Sequence, residues 1–221
     1  VFYMLYCSRN FKLVQKLYKD DYRFAKFNIE KHELCGKTLG LVGVGNIGGL
    51  VARKAALGFD MKVLAFDPYA KELPDYIIPV SSREEVFEKA DYVSLHVPAT
   101  PETVNSVGEK ELAGMKKTAF LINTARGSII DEEALIKALE EKQIAGAALD
   151  VTREEPFSRE NPLLEMDNVL TAPHIGAATK EASSRSSLAC AEGIDDFLSG
   201  RTPKYPVPPM REQLEQMNFI K

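Results

Sequence analysis

The sequence predicts an α/β protein built on a doubly wound parallel sheet. Short apolar and small-residue runs alternate with amphipathic segments at the spacing of βαβ units between residues 37 and 200. One of those runs ends in a glycine-rich turn that opens the next helix. Residues equipped for chemistry fall at the ends of the runs: Gly43, Asp67, Pro98, Arg126, Asp150 and His174. Ligands of such sheets bind beyond the carboxyl ends of the strands, so these residues are expected to converge on one edge.

The elements come in order along the chain. Residues 1 to about 25 read as one helix, with Leu5, Phe11, Leu13, Leu17 and Tyr18 as its apolar anchors. "KTLGLVGVG" at 37–45 reads as a buried strand, "NIGGLVARKAALGF" as the helix after it, and "KVLAFD" at 62–67 as the next strand. A Pro-marked loop leads to a helix in "SREEVFEKA" and a strand in "DYVSLHVP". "KELAGM" is helical, "TAFLINTA" a strand, "DEEALIKALEEKQ" a helix, "IAGAALDV" a strand and "NVLTAP" the last strand. Residues 179–200 form a closing helix ended by Gly200, and the Pro-rich "RTPKYPVPPM" is expected to be extended. There are no internal repeats and no low-complexity block.

Composition excludes several classes. The 45% hydrophobic and 27% charged content over 221 residues is enough for a full core and ordinary for a globular protein. A net charge of -4 without a basic stripe argues against nucleic acid as a partner. No apolar run reaches about 18 residues, so no membrane span is expected. Cys7, Cys35 and Cys190 lack metal-ligand spacing and read as reduced thiols of a cytoplasmic protein. The chain opens on Val1, with no signal-peptide pattern after it, and reads as a fragment or a chain without its true start.

Gly43-Val44-Gly45-Asn46-Ile47-Gly48 fits GxGxxG between a strand and a helix, the context in which that pattern binds a dinucleotide. Gly43 permits the tight turn, Gly45 lets a pyrophosphate approach the backbone, and Gly48 lets helix and strand pack closely. The helix start offers N–H groups to the anion. Asp67 ends the next strand, where an acid accepts from the ribose hydroxyls and repels a 2′-phosphate, so NAD is favoured over NADP. The plainer readings are an ordinary glycine turn and a turn-forming Asp before Pro68.

His174, one of three histidines, lies in "LTAPHIGAAT". Alone it is open to three readings: a packed core group, a metal ligand or a proton carrier. No second ligand lies at metal spacing, so no metal site is expected. With "NTARGSIIDEEAL", "GAALDVTREEP" and "GVGNIG", the stretch "APHIGAAT" resembles the D-isomer-specific 2-hydroxyacid dehydrogenases over residues 30 to 206. Within the family, "HIGAATKEA" and "ALDVTREEP" look most like the D-3-phosphoglycerate dehydrogenases, and hydroxypyruvate reductases and D-lactate dehydrogenases share much of the pattern.

The resemblance implies a catalytic trio. Arg126 holds the substrate carboxylate and polarises the carbonyl, His174 carries the proton, and Glu155, the acid before Pro156, pairs with the imidazole. Its neighbour Glu154 stays open as the partner by a one-residue slip. The resemblance also implies cofactor contacts at Gly43, Gly45, Asn46, Ile47, Gly48, Asp67, Val97, Pro98, Thr124, Ala125, Arg126, Asp150, His174, Gly176 and Ala177. Asp150 is the acid on the nicotinamide side. His96 matches a position near the cofactor and is not assigned to catalysis. Ala178 stands where the family often has Ser, which leaves the substrate open.

The resemblance further implies a Rossmann-type NAD-binding domain over 1–178, with a linking and dimerisation helix at 1–30 and only a remnant of the second, substrate lobe. Residues 179–221 are the helix and tail that return toward that lobe. The lobe closes over the site in the family, so NAD binding is expected without it and full turnover is not. No regulatory domain is expected after the tail. The implied function is hydride transfer between NAD and a D-2-hydroxy or 2-keto acid, with 3-phosphoglycerate/phosphohydroxypyruvate first and hydroxypyruvate/glyoxylate or D-lactate as alternatives. An NAD(H)-sensing protein and an inactive cofactor-binding fragment are the competing classes. The implied partners are the small-molecule acid and, as a homodimer, a second copy of the chain.

Overall fold

The computed structural model describes residues 1–206. They fall into two compact units, one running from Val1 to His174 and one beginning at Ile175.

The first unit holds a seven-stranded sheet, parallel throughout. Its strands are β1 (Thr38–Val42), β2 (Lys62–Phe66), β3 (Ile77–Pro79), β4 (Tyr92–Leu95), β5 (Phe120–Asn123), β6 (Gly146–Leu149) and β7 (Val169–Thr171). Their order is β3-β2-β1-β4-β5-β6-β7. The chain therefore builds outward from β1 in one direction, returns to pair β4 with β1, and builds outward in the other. The carboxyl ends of β1 and β4 flank the crevice that such a reversal creates.

The central strands are buried on both faces, which is why they read as continuous apolar runs instead of alternating. On one face α5 (Arg83–Lys89), α6 (Glu109–Gly114) and α7 (Glu132–Glu140) pack Phe87, Leu112, Leu135 and Leu139 against Val93, Leu121 and Ala147. On the other, α1 (Phe2–Ser8) and α4 (Asn46–Phe59) pack Met4, Cys7, Ala52 and Ala55 against Leu39, Leu41 and Ile122. Each buried Leu contributes about 1.5–3 kcal/mol of transfer free energy, so this core holds the strand ends in place.

Three expectations are corrected. The single helix over 1–25 is three: α1, then α2 (Phe11–Leu17) and α3 (Tyr22–Phe27). Asn10 sits in the left-handed region at φ 45°, and Asp21 caps α3 by accepting from the Phe24 amide, so the path bends twice. The loop after β2 contains β3, a three-residue edge strand ending in Pro, which is too short and too Pro-marked to show in the pattern. The strands are also shorter than their apolar runs. Gly43, His96, Thr124 and Asp150 leave the sheet to begin the loops of its carboxyl edge.

In the second unit α8 (Lys180–Leu198) starts at Thr179, whose hydroxyl accepts from the Ala182 amide. Beyond it Gly200 turns the chain at φ 71°, and Arg201 pairs with Asp195 at 2.6 Å and Asp196 at 2.8 Å. Of the tail expected to be extended, residues 201–206 hold neither helix nor strand, and the rest of it, with the end of the segment expected to return to a second lobe, lies outside the described residues.

Candidate active site

The carboxyl edge at β1 and β4 is shaped by backbone. Gly43 follows β1 with φ +94°, a conformation that disfavours any side chain, and a Cβ there would stand 2.6 Å from the His96 carbonyl oxygen. A Cβ on Gly48 would collide with the Gly43 carbonyl. These two glycines are buried, while Gly45, Asn46 and Ile47 between them are exposed at the start of α4. No side chain caps that helix start, whose amides suit an anion. Asp67 sits at the lip of the same loop, its Oδ2 accepting from the Val44 amide at 2.8 Å and its Oδ1 from the Tyr69 amide at 2.9 Å.

β4 continues into His96, Val97 and Pro98. The His96 amide donates to the Val42 carbonyl at 2.8 Å, and its Nε2 lies 2.9 Å from Ser94 Oγ. Burial pushes the His96 imidazole down to about 4, so it stays neutral beneath the glycine loop at ordinary pH. Pro98 is exposed, and its carbonyl accepts from Thr103 Oγ1 at 2.6 Å.

The other end of the edge is shaped by side chains on three loops, from β5, β6 and β7. Asn123, the last residue of β5, is fully buried. Its Nδ2 donates to the Arg126 carbonyl at 2.9 Å and its Oδ1 accepts from the Ala125 amide at 3.0 Å. Thr124 and Ala125 are thereby folded into a fixed turn, half-buried, that presents Arg126 to solvent. Arg126 Nη1 donates to the Ala125 carbonyl at 2.6 Å.

After β6, Asp150 is buried, with its amide donating to the Asn123 carbonyl at 2.9 Å. Its own carbonyl accepts from the His174 amide at 2.7 Å. His174 takes a left-handed backbone at φ 53°, a strained choice for a residue with a Cβ that clusters at functional positions. His174 Nδ1 stands 3.0 Å from Glu155 Oε2. An ionised carboxylate only accepts, so the nitrogen facing it is the donor and Nε2 is directed elsewhere. The other Glu155 oxygen accepts from the Thr152 amide at 3.4 Å. The hydrogen bond from His174 holds the Glu155 carboxyl below its ordinary range, and the Thr152 amide and Arg126 charge act the same way. A cavity of about 370 Å³ lies against the pair, walled by Pro156, Phe157, Leu164, Ala172 and Pro173.

Glu155 and His174 are thus brought together, and Arg126 lies near enough to act on the Glu155 charge. Among the described residues Glu154 contributes its carbonyl, which accepts from Thr152 Oγ1 at 2.7 Å. Gly176 and Ala177 fall in the second unit, both exposed. Among the described residues no cluster of three or more His, Cys, Asp or Glu gathers as metal ligands. The sequence reading missed Asn123 and Tyr3, whose hydroxyl donates to Asp150 Oδ1 at 2.7 Å. A polar residue closing a buried strand was the available signal for Asn123; none marked Tyr3.

Residues 1–176 match the NAD binding domain of the D-isomer specific 2-hydroxyacid dehydrogenases. The chain belongs to this family. As a 2-hydroxyacid dehydrogenase chain it is 45% identical over 177 residues to a glyoxylate reductase of Korarchaeum cryptofilum, covering 78% of the chain and 52% of that relative. It is 45% identical over 171 residues to a D-3-phosphoglycerate dehydrogenase of Methanocaldococcus jannaschii, covering 76% of the chain and 32% of that relative. The structure of the NAD-complexed D-isomer specific 2-hydroxyacid dehydrogenase of Lactobacillus delbrueckii ssp. bulgaricus superposes with a TM-score of 0.81 at 32% identity. That match covers 91% of this chain and 65% of the other. The chain spans about half the length of the glyoxylate reductases it matches. The matched part is the family's NAD-binding domain, and the loop fits NAD: two buried glycines leave its mouth free of side chains, and Asp67 borders it.

Proposed function

We propose that this protein is an NAD-dependent dehydrogenase interconverting a D-2-hydroxy acid and its 2-keto acid. The observation that carries this reading is the Glu155–His174 pair at 3.0 Å, on the same sheet edge as the glycine loop. NAD supplies the hydride-transferring ring when bound. Gly43, Gly45, Asn46, Ile47 and Gly48 take the pyrophosphate, Asp67 the ribose, Val97 and Pro98 the adenosine side. Thr124, Ala125, Arg126, Asp150 and His174 take the nicotinamide side, and Gly176 and Ala177, in the second unit, are proposed as further cofactor contacts.

Arg126 anchors the substrate carboxylate with its planar fork and polarises the adjoining carbonyl. His174 donates from Nε2 to the oxygen that gains charge on reduction and takes the proton back on oxidation. Glu155 holds Nδ1–H, which orients the ring and fixes its tautomer. Phosphohydroxypyruvate is the substrate proposed first, on the motif likeness around His174. Glyoxylate is the second reading, supported by reductases of that name at 45–47% identity.

A homodimer through the first 27 residues is part of the proposal. Phe2, Phe11, Tyr22, Phe24 and Phe27 are exposed there, more aromatic surface than a lone chain ordinarily leaves to water. A reducing, cytoplasmic setting is supported by Cys7, Cys35 and Cys190, which are all free thiols.

The test is NADH oxidation with phosphohydroxypyruvate, glyoxylate, hydroxypyruvate and pyruvate in parallel, alongside direct NADH binding. Turnover of one acid supports the reading and names the substrate. NADH binding without turnover of any acid would favour a sensing or cofactor-binding role, and absence of NADH binding would overturn the proposal.

A further inference from the structure

Asp150 is an acid 2% exposed to solvent, placed at the proposed nicotinamide end of the cofactor. Its main chain is fixed at both ends, by its amide to Asn123 and by its carbonyl from His174. Neither bond acts on its carboxylate. That group is reached from the far end of the sequence, by the Tyr3 hydroxyl at 2.7 Å. Tyr3 is carried on α1, which packs against β5 and β6, and its ring meets Phe2 edge-on with centroids 5.6 Å apart. Burial, and then the acid it faces, push the phenol above its ordinary value, so it remains a donor across the working pH range. A hydroxyl donor at that distance sets the direction in which the carboxylate presents its other lone pairs.

We propose that Tyr3 is a positioning residue for the nicotinamide end of the cofactor: it fixes the Asp150 carboxylate as an acceptor for the amide N–H groups of the nicotinamide carboxamide. This rests on the NAD reading and on the place given to Asp150 in it. Because the Tyr3 hydroxyl meets the side chain, losing it removes one restraint on the Asp150 carboxylate and leaves the path from Asn123 to His174 intact. The effect is therefore confined to ligands that carry a nicotinamide.

The test compares NADH with ADP-ribose, which has the adenosine, ribose and pyrophosphate and no nicotinamide. Both are titrated calorimetrically into the wild-type chain, Tyr3→Phe, Asp150→Asn and the double variant, with the unfolding midpoint of each. The expected result is an NADH affinity about tenfold weaker in Tyr3→Phe, with ADP-ribose affinity unchanged, as loss of one hydrogen bond to a charged group predicts. The double variant is expected to bind NADH no more weakly than Asp150→Asn alone, the signature of two groups acting through one contact.

Equal loss for both ligands would make Tyr3 a structural residue and overturn the proposal, as would unchanged NADH binding. Additive losses in the double variant would overturn the route through Asp150. Were Tyr3→Phe not to fold, Asp150→Asn carries the same test, and its failure to separate the two ligands overturns the proposal. A wild-type chain that bound neither ligand would defeat the NAD reading itself, and this inference with it.

Discussion

The carboxyl edge of the sheet is built by two different means. Around β1, β2 and β4 the shape is made of backbone, with two buried glycines packed onto each other and onto the His96 main chain. Around β5, β6 and β7 it is made of exposed side chains, Arg126, Glu155 and His174, on loops fixed from beneath by Asn123 and Asp150. The first region fails when volume is added. The second, on the proposed reading, is expected to fail when a functional group is removed, with its architecture left standing.

That contrast is broken most severely at the reaction end. In a form of the protein that turns over 2-keto acids, His174→Ala is expected to lower kcat by about 10²–10⁴-fold, the range for loss of a general acid. Its unfolding midpoint is expected to stay near wild type and its NADH affinity to fall far less than kcat, as melts, titration and steady-state kinetics would show. A large fall in stability would mean that the left-handed backbone at His174 depends on the imidazole.

Gly43→Ala is the converse. The added methyl runs into the His96 carbonyl, costing about 1–3 kcal/mol for overpacking, with about 1–2 kcal/mol more for the left-handed backbone. Thermal unfolding and NADH titration are both expected to register it.

Acid sharpens the comparison further. The unfolded chain protonates His96 near pH 6.5 and the folded one at about 4. The contribution of that difference to stability is therefore whole above pH 6.5 and is lost as pH falls toward 4, by about 3 kcal/mol at most. His96→Gln is expected to flatten this slope in denaturant melts taken from pH 7 to 4.

The smallest effect on stability belongs to Glu155→Gln. The Glu155 carboxyl is also held low, so its pairing is present above the ordinary carboxylate range and lost as pH falls through the lowered value. The group is exposed and screened, so the melt is expected to move little while turnover falls. A melt that moved as far as that of His96→Gln would erase the distinction between the two ends.

The sheet was legible because a strand buried on both faces must be a continuous apolar run, as in "LGLV" and "FLIN". The shape of the glycine loop was legible because steric exclusion at Gly43 and Gly48 forces glycine into the sequence at fixed spacing. The pairing of Glu155 with His174 was readable only through family likeness, since 19 residues separate them and nothing local links them. Tyr3 was hidden for the same reason in a stronger form, with 147 residues between it and Asp150. The division of the first helix into three was hidden because apolar spacing persists across a bend: Leu5, Phe11 and Leu17 keep a helical rhythm while Asn10 turns the axis.

Cys7 gives the molecule a clock. It lies 5% exposed under α1, the helix that carries Tyr3, and burial pushes its thiol up to about 12. In the closed state it is therefore neither reachable nor nucleophilic, unlike the exposed Cys35 and Cys190. A maleimide labels Cys7 only in the interval when α1 lifts from the sheet. Its labelling rate, read by mass spectrometry beside the prompt reaction of the other two, counts how often Tyr3 lets go of Asp150.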